Sequence, residues 1–438
     1  MFRDALKSGS ICPISLTALL NDGPANQVVR TEVQRPTHPH VHHSSPFRTL
    51  LIIPIVSFSA GESTRAQETP DTIASYLASG SFYGELGLVS ISHEYRGASD
   101  DSGNALGFLQ LQYKSIETWG LHWGAWWYGV KSAWEMHPGD YERLCKGDSS
   151  LRECFVSWNL PGSQTTATAG RFSMRQTTID GRSHQGIEIV SNDIADITLR
   201  AGAFHRWSRY NRIHVNFQGM TGWYEVDAVH EDAGDLFWFG SIRKNGRDSD
   251  YIEVFGRHQD NVMTAIGAEW NYSRPVASDR KIGVDGIFAY YVNGWPEELQ
   301  PDYENAYTWL IHASMQTESL SLGIGWHGVS DHTADIGVGP YFWIDPLVAD
   351  NTLPYDARNR AQLFYVDAET SYGPVDLTLA YGYGINQSID VDSHEFNAIG
   401  KVHLREDLSF EIMVSWNMYE GDLLADYVRT GTLLTFEF

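Results

Sequence analysis

Alternation of apolar and polar residues recurs along most of this chain, and it limits the possible folds more than any other feature. In one run Leu109, Leu111 and Tyr113 alternate with polar residues, and in the next one face carries Trp119, Leu121, Trp123, Ala125 and Trp127. Successive side chains of a β-strand point to opposite faces, so a period of two residues predicts strands. Patterns with the helical period of 3.6 residues are nearly absent after residue 80. The chain is therefore predicted to be all-β.

The alternating runs are long, and the connections between them are of two kinds. About 18 to 20 runs of about 8 to 14 residues, one of them at 334–344, fill the chain from residue 82 to its end. Tight connections lie at 115–118, 258–261, 371–376 and 405–408, and long polar ones at 134–150, 293–304 and 345–360. Short turns and long loops on opposite sides are typical of a barrel that spans a membrane. We predict a transmembrane antiparallel β-barrel of about 18 strands, with 16 strands as an alternative. A soluble β-sandwich or propeller lacks the repeat signature that it would need.

The N-terminal part of the chain has the composition of an export signal. Residues 50–60 form an apolar run that is too short for a spanning helix, which needs about 20 residues. Arg48 precedes the run and small residues follow it, as in a secretory signal peptide, with cleavage expected after Ala66 or at the competing site around 57–59. A buried strand is the alternative, although Pro54 interrupts it. We predict an N-terminal extension (1–46) that is absent from the mature protein, a signal peptide (47–66) and one barrel domain (67–438).

The overall composition excludes some classes of protein. Aromatic residues make up 13% of the chain, which is too many for a disordered protein. The formal net charge of −24 argues against a nucleic-acid partner. The mean hydropathy of −0.30 is low, and a wide barrel explains it, because its interior is aqueous and should be lined by polar side chains.

Histidine and cysteine residues raise the question of metal binding. His38, His40, His42 and His43 have a spacing that could bind a metal ion, but they lie upstream of the signal, and we predict no metal site and no cofactor. Cys145 and Cys154 bracket a short polar segment, and in an exported protein this predicts a local disulfide. A zinc pair would need closer ligands and more of them.

The chain ends in an aromatic strand. Leu434, Phe436 and Phe438 share one face of the last run, and Thr435 and Glu437 share the other. A closing strand with a terminal Phe looks like the signal by which the barrel-assembly machinery recognises outer-membrane barrels. Trp and Tyr residues also cluster near strand ends, where amphipathic rings prefer the membrane–water interface.

The segment AGRFSMRQTTIDGRSHQGIEIVSNDIADITLRAG (169–202) resembles the OprD-like family of bacterial outer-membrane porins. The matching residues are Gly170, Arg171, Arg182, Gly186 and the turn at 192–196. The resemblance covers about 35 residues and the C-terminus, and elsewhere it rests on the rhythm of the strands. It implies an 18-stranded channel unit with a loop folded inward to form a constriction. It also implies basic residues on one side of the pore and small carboxylates or amino acids as solutes.

Clusters of arginine in an acidic chain suggest where such a constriction lies. Guanidinium groups can hold carboxylates in a bidentate way, so we expect Arg171, Arg175 and Arg182 to line it, with Asp180 as the facing charge. Pairing of these arginines with acids on the barrel wall is the alternative, and it is the favoured interpretation for Arg200, Arg206, Arg209 and Arg212. A second candidate is the loop at 345–360, through Asp356, Arg358 and Arg360, although an exposed loop is favoured there.

These patterns together predict an outer-membrane porin that allows passive diffusion of small hydrophilic solutes. No catalytic sequence motif is present, so we predict no catalytic residues and no enzyme activity. The alternative is a barrel without a channel function, either an adhesin or binding barrel or a lipid-modifying hydrolase. Expected partners are outer-membrane lipid and lipopolysaccharide, small solutes and the assembly machinery, with a monomer or a trimer left open. Ion selectivity is also open, because the negative net charge could favour cations.

Overall fold

The computed structural model describes residues 79–96, 101–139, 149–173, 183–208, 221–222, 236–246, 250–260, 263–293, 305–330, 361–387, 391–420 and 426–438. The proposed extension and signal peptide, the predicted strand at 334–344 and the loop at 345–360 lie outside these residues. None of the described segments is a helix long and apolar enough to cross a membrane.

The described chain consists of β-strands with the following bounds. They are β1 (Ser81–Tyr95), β2 (Ser102–Lys114), β3 (Leu121–Glu135), β4 (Ser149–Asn159), β5 (Thr165–Ser173), β6 (Ser183–Ile194), β7 (Ile197–Ser208), β8 (Thr221–Gly222), β9 (Phe237–Asn245), β10 (Tyr251–Gln259), β11 (Met263–Ala277), β12 (Arg280–Asn293), β13 (Ala306–Gln316), β14 (Leu320–Val329), β15 (Ala361–Tyr372), β16 (Val375–Asn386), β17 (Val391–Arg405), β18 (Leu408–Glu420) and β19 (Tyr427–Glu437).

The strands form one closed antiparallel sheet. Each long strand pairs with the next one along the chain, and β19 pairs with β1, so that the sheet closes on itself. The two-residue strand β8 pairs with the end of β7, while β7 continues the barrel by pairing with β9. The barrel therefore has 18 long strands, which confirms the predicted fold class and strand number.

The two rims of the barrel carry different sets of connections, and only one rim has short connections throughout. Eight short connections of two to six residues, such as 195–196 and 406–407, lie at one rim of the barrel, which we call the turn rim. The first strand begins and the last strand ends at the same rim. All other connections lie at the opposite rim, the loop rim. One assignment is wrong, because the tight connection predicted at 258–261 joins β10 to β11 at the loop rim.

Two carboxylates secure turns at the turn rim. Asp250, just before β10, accepts a hydrogen bond of 2.7 Å from the backbone N–H of Ser273 and another from Arg274 on β11. The pKa of Asp250 is lowered by the Ser273 N–H and then by Arg274. Asp407 accepts two hydrogen bonds from the guanidinium of Arg405, which lowers its pKa in the same way. The Asp250 contacts join two neighbouring hairpins, whereas the Arg405–Asp407 contact lies within a single turn.

The two faces of the barrel wall differ in polarity. On β14 the outward side chains Leu322, Ile324 and Trp326 are exposed, whereas the inward residues Gly323 and His327 are buried. Large exposed apolar residues with the same period occur on almost every strand. An apolar outer band of this kind is the surface that a barrel presents to lipid.

Aromatic side chains form a nearly continuous row on the outer face towards the loop rim. The ring centroids of Phe288 and Tyr307 are 6.2 Å apart, those of Trp309 and Trp326 are 5.2 Å apart, and Phe364 stacks on Trp326 at 6.1 Å. Such girdles are expected at a membrane interface. Some aromatic positions differ from the prediction. Tyr128 and Tyr291 point inward and are buried, and Trp119 lies in a turn with a positive φ of 55° instead of on the outer face of β3.

The C-terminal strand closes the barrel. Leu434 and Phe436 face outward, and Thr435 is buried on the inner face, as the sequence predicts. Phe438 exchanges two backbone hydrogen bonds with Gly84, of 2.8 and 2.9 Å, and its ring stacks on Phe436 at 6.0 Å. A side chain at position 84 would overlap the Phe438 ring, so glycine makes room for the terminal residue.

Candidate pore lumen

Polar side chains line much of the inner face of the barrel. On β17, Ser393, Glu395 and Asn397 face inward and are buried, and Lys401 continues the row towards the turn rim. A closed sheet of 18 strands is too wide for its own side chains to fill. The described wall therefore has the polarity that a water-filled channel needs.

Inward arginines on one part of the wall are paired with glutamates. Arg200 on β7 forms an ion pair of 3.4 Å with Glu188 on β6. Arg243 on β9 contacts the Glu253 carboxylate on β10 at 2.6 Å, and its guanidinium lies 4.0 Å from the centre of the Tyr251 ring. Arg200 thus has the structural role on the wall that the sequence favours for it. Such pairs reduce the field that these arginines exert on a passing anion.

A second polar array covers the strands on the other side of β5. The guanidinium of Arg152 lies 4.0 Å above the Trp126 ring, and the Trp126 indole N–H donates to Gln110 at 3.0 Å. Gln110 in turn donates to Glu85 at 3.1 Å. Four neighbouring strands, β1 to β4, are linked in this way by buried polar contacts.

The glycines of the sequence motif allow strands to approach closely. Gly170 on β5 is the register partner of Gly186 on β6. Gly170 has a φ of 118°, and a Cβ there would lie 2.9 Å from the Cα of Phe155. A Cβ on Gly186 would collide with the carbonyl oxygen of Ala203 on β7. Only glycine fits at these positions without movement of the neighbouring strands.

The structure locates only one of the four predicted constriction residues. Arg171 is half-buried on β5, and its guanidinium donates a hydrogen bond to the backbone carbonyl of Leu151 on β4. This contact places Arg171 on the barrel wall. The remaining predicted pore residues lie outside the described segments: Arg175, Asp180, Arg182, Asp356, Arg358 and Arg360.

The predicted disulfide remains a prediction. Cys154 lies exposed on the outer face of β4, and Cys145 is outside the described residues. A disulfide requires Cα atoms within about 7 Å.

Apolar inner-face patches are a feature that the sequence reasoning missed. Seven residues on β19, β1, β2 and β3 form a buried cluster on the lumen side: Val89, Ile91, Leu106, Phe108, Tyr128, Val130 and Leu433. The expectation of polar residues at every lumen position is wrong at this part of the wall. The sequence of β1 indicates this patch, because Leu88 and Val89 are adjacent and the strand is therefore apolar on both faces.

A histidine between two carboxylates is a further feature without a sequence motif. His312 on β13 lies 3.0 Å from Asp285 on β12 through Nδ1, and 3.2 Å from Asp367 on β15 through Nε2. The Tyr365 ring stacks on the imidazole at 5.8 Å. Within the described segments no group of three or more His, Cys, Asp or Glu side chains is arranged to hold a metal ion.

These observations define a closed antiparallel barrel of 18 long strands with an apolar outer band and a polar inner wall. Solved structures of the same fold are porins of the OprD/Occ family. OccK9 (OpdG) of Pseudomonas aeruginosa has a TM-score of 0.68 at 14% identity, covering 83% of this chain and 99% of its own. A BenF-like porin from Pseudomonas fluorescens Pf-5 has a TM-score of 0.63 at 13% identity, with 83% and 99% covered. OpdK of P. aeruginosa, in a structure with vanillate, has a TM-score of 0.62 at 12% identity, with the same coverage.

Comparisons of the sequence alone find no such similarity. No protein-family model matches the chain, and no curated protein matches it significantly. The likeness to these porins is therefore a likeness of fold.

Proposed function

We propose that the protein is an outer-membrane porin through which small hydrophilic solutes diffuse passively. The observation that carries this proposal is the division of the wall into an apolar outer face and an inner face with polar residues along its height. In an 18-strand barrel without an aqueous interior, burying glutamate and arginine side chains on the inner face would cost a large desolvation free energy. The fold shared with OprD/Occ porins supports the same conclusion.

The outer membrane is the proposed location. The signal-like segment at 47–66, the aromatic girdle and the terminal Phe438 support export and insertion. Expected contacts are with lipid, lipopolysaccharide and the assembly machinery. The long loops are acidic, and their carboxylates can bind divalent cations that bridge lipid phosphates.

Small carboxylates and amino acids are the first candidate solutes. The presence of vanillate, a carboxylate, in the OpdK structure supports them. Since Arg200 and Arg243 are neutralised by wall glutamates, an attraction for anions depends on other arginines. We place Arg175, Asp180 and Arg182 at a constriction between β5 and β6, with Asp356, Arg358 and Arg360 as a second candidate.

Single-channel recording tests the proposal. Purified, refolded protein in planar lipid bilayers is expected to give discrete conductance steps. Folded protein that gives no steps would refute the channel and would favour a binding barrel or a lipid-modifying hydrolase.

A pair of arginine variants tests the proposed constriction. Arg182→Ala is expected to raise conductance and to reduce anion preference, because a charged group leaves the narrowest part of the pore. Arg171→Ala is the matched control, since its guanidinium donates to the Leu151 carbonyl on the wall. If Arg182→Ala behaves like wild type, Arg182 does not belong to the constriction.

A further inference from the structure

His312 is held between two carboxylates on the lumen side of the barrel. Its Nδ1 faces Asp285 and its Nε2 faces Asp367, at 3.0 and 3.2 Å. The side chains of His312 and Asp367 are 21% and 11% exposed, and that of Asp285 is 42% exposed. The group is thus in contact with the lumen but partly shielded from bulk water.

The absence of inward side chains at two glycines of β14 leaves space for this contact. His312 is on β13 and Asp367 is on β15, so their contact crosses the intervening strand β14. The inward residues of β14 at this point are Gly323, the register partner of Asp367, and Gly325, the partner of His312. A Cβ on Gly323 would overlap both the Asp367 carboxylate and His312 Nε2, and a Cβ on Gly325 would overlap the Tyr365 ring.

The hydrogen-bond chemistry defines the charge of the imidazole. A neutral imidazole has one N–H, whereas a carboxylate only accepts hydrogen bonds. Both ring nitrogens face carboxylate oxygens, so both contacts are favourable only when each nitrogen carries a proton. The facing charged groups are Asp285 on β12 and Asp367 on β15, and β14 contributes only glycines at the contact.

We propose that His312 is an imidazolium at neutral pH and is a selectivity-determining residue of the pore. It neutralises one of the two carboxylates, so that this part of the wall carries one negative charge instead of two. The inference rests on the proposed porin function. His312 thereby limits the preference of the channel for cations.

The neighbouring strand supplies a matched control. His327 on β14 is also inward and buried, and it is the register partner of Leu310, two residues before His312. Its Nε2 lies 3.2 Å from the hydroxyl of Thr308, which itself donates to the Gly328 carbonyl at 3.0 Å. This hydroxyl is a neutral partner that accepts equally well from a neutral or a charged imidazole, whereas the burial of His327, which is 4% exposed, disfavours the charged form. We therefore expect no positive charge at His327.

The size of the effect follows from Coulomb's law. One charge about 10 Å from the ion path changes the local concentration of each monovalent ion about twofold in water at low salt. The changes for K⁺ and Cl⁻ have opposite signs, so their permeability ratio changes up to about fourfold.

Reversal potentials in dilute KCl gradients test the proposal. His312→Gln is expected to raise the K⁺/Cl⁻ permeability ratio about two- to fourfold over wild type, while His327→Gln leaves it unchanged. Equal ratios for wild type and His312→Gln would overturn the proposal, as would an equal rise in both variants. Absence of conductance in wild type would instead refute the porin function itself.

A second measurement covers the case in which His312→Gln does not fold. Wild-type protein with ¹⁵N-labelled histidine is refolded in detergent and examined by NMR at pH 8, where free histidine is neutral. At least one imidazole is expected to have two protonated nitrogens, and its signal should persist in His327→Gln and in variants that replace His258, His394 and His403, the other described histidines beside a carboxylate. A spectrum in which every imidazole has an unprotonated nitrogen would overturn the proposal.

Discussion

Gly323→Ala is expected to destabilise the barrel by breaking the contact between His312 and Asp367. The added Cβ would lie closer to the Asp367 carboxylate oxygens than the 3.0 Å that real Cβ atoms keep. To restore a normal separation of about 3.5 Å, the carboxylate must move by about 1 Å. The His312–Asp367 distance of 3.2 Å would then exceed hydrogen-bonding range.

The magnitude follows from the chemistry of that contact. A hydrogen bond with a charged partner contributes about 1.5–3 kcal/mol, and both side chains are sufficiently shielded to keep most of it. Replacing glycine by alanine within a strand contributes about 0.5–1 kcal/mol in the opposite direction. Gly400→Ala on β17 has this favourable term alone, because the nearest atom to its Cβ is Ile412 Cγ2 at 3.7 Å. The two variants should therefore differ by about 1.5–3 kcal/mol.

Equilibrium unfolding in urea, followed by tryptophan fluorescence in lipid vesicles, measures this difference. Gly323→Ala is expected to have a lower midpoint than wild type, with the same dependence on urea concentration. Gly400→Ala should equal or exceed wild type. If Gly323→Ala is as stable as Gly400→Ala, the His312–Asp367 contact does not contribute to stability and the reasoning fails.

Three further predictions concern the wall, the cysteines and the N-terminus. Ile324→Arg, at an outward position that is 62% exposed, should destabilise the barrel in lipid by about 2–4 kcal/mol. Thr378→Lys on the inner face should be tolerated. Similar unfolding midpoints for the two variants would contradict the assignment of faces. Alkylation of the denatured, unreduced mature protein should modify neither Cys145 nor Cys154, and labelling before reduction would exclude the disulfide. N-terminal sequencing of protein from the outer membrane should begin at Gln67, and a start before residue 47 would rule out the proposed signal peptide.

The periodic part of the fold could be predicted from the sequence because side-chain alternation is a local property. The face that carries Leu121, Trp123 and Trp127 could be identified without knowledge of any partner strand. Strand ends were harder, since Trp119 continues the alternation but lies in a turn. The short connection at 258–261 resembles the tight turns in composition, and only the order of the strands assigns it to the loop rim.

The group formed by His312 and its two carboxylates was less predictable, because only the register of the strands brings these residues together. Asp285, His312 and Asp367 are far apart in sequence, and four adjacent strands bring them together. The glycines of β14 indicate close packing, but they do not show which side chains of the neighbouring strands make contact over them. The sequence left two roles open for Arg171, in the pore constriction or on the wall, and its contact with the Leu151 carbonyl became visible only in three dimensions.

The pairing of β1 with β19 has a consequence for how the chain reaches its closed state. Positions that face each other across this seam, such as Leu88 and Leu434, are separated by about 350 residues. Loop-closure entropy for a segment of that length opposes the pairing by about 5 kcal/mol. Until the seam forms, two strands carry unpaired backbone groups, each of which costs several kcal/mol in lipid. Closure is therefore expected to be a late step of folding, and a chain that lacks β19 should not form a stable barrel in the bilayer.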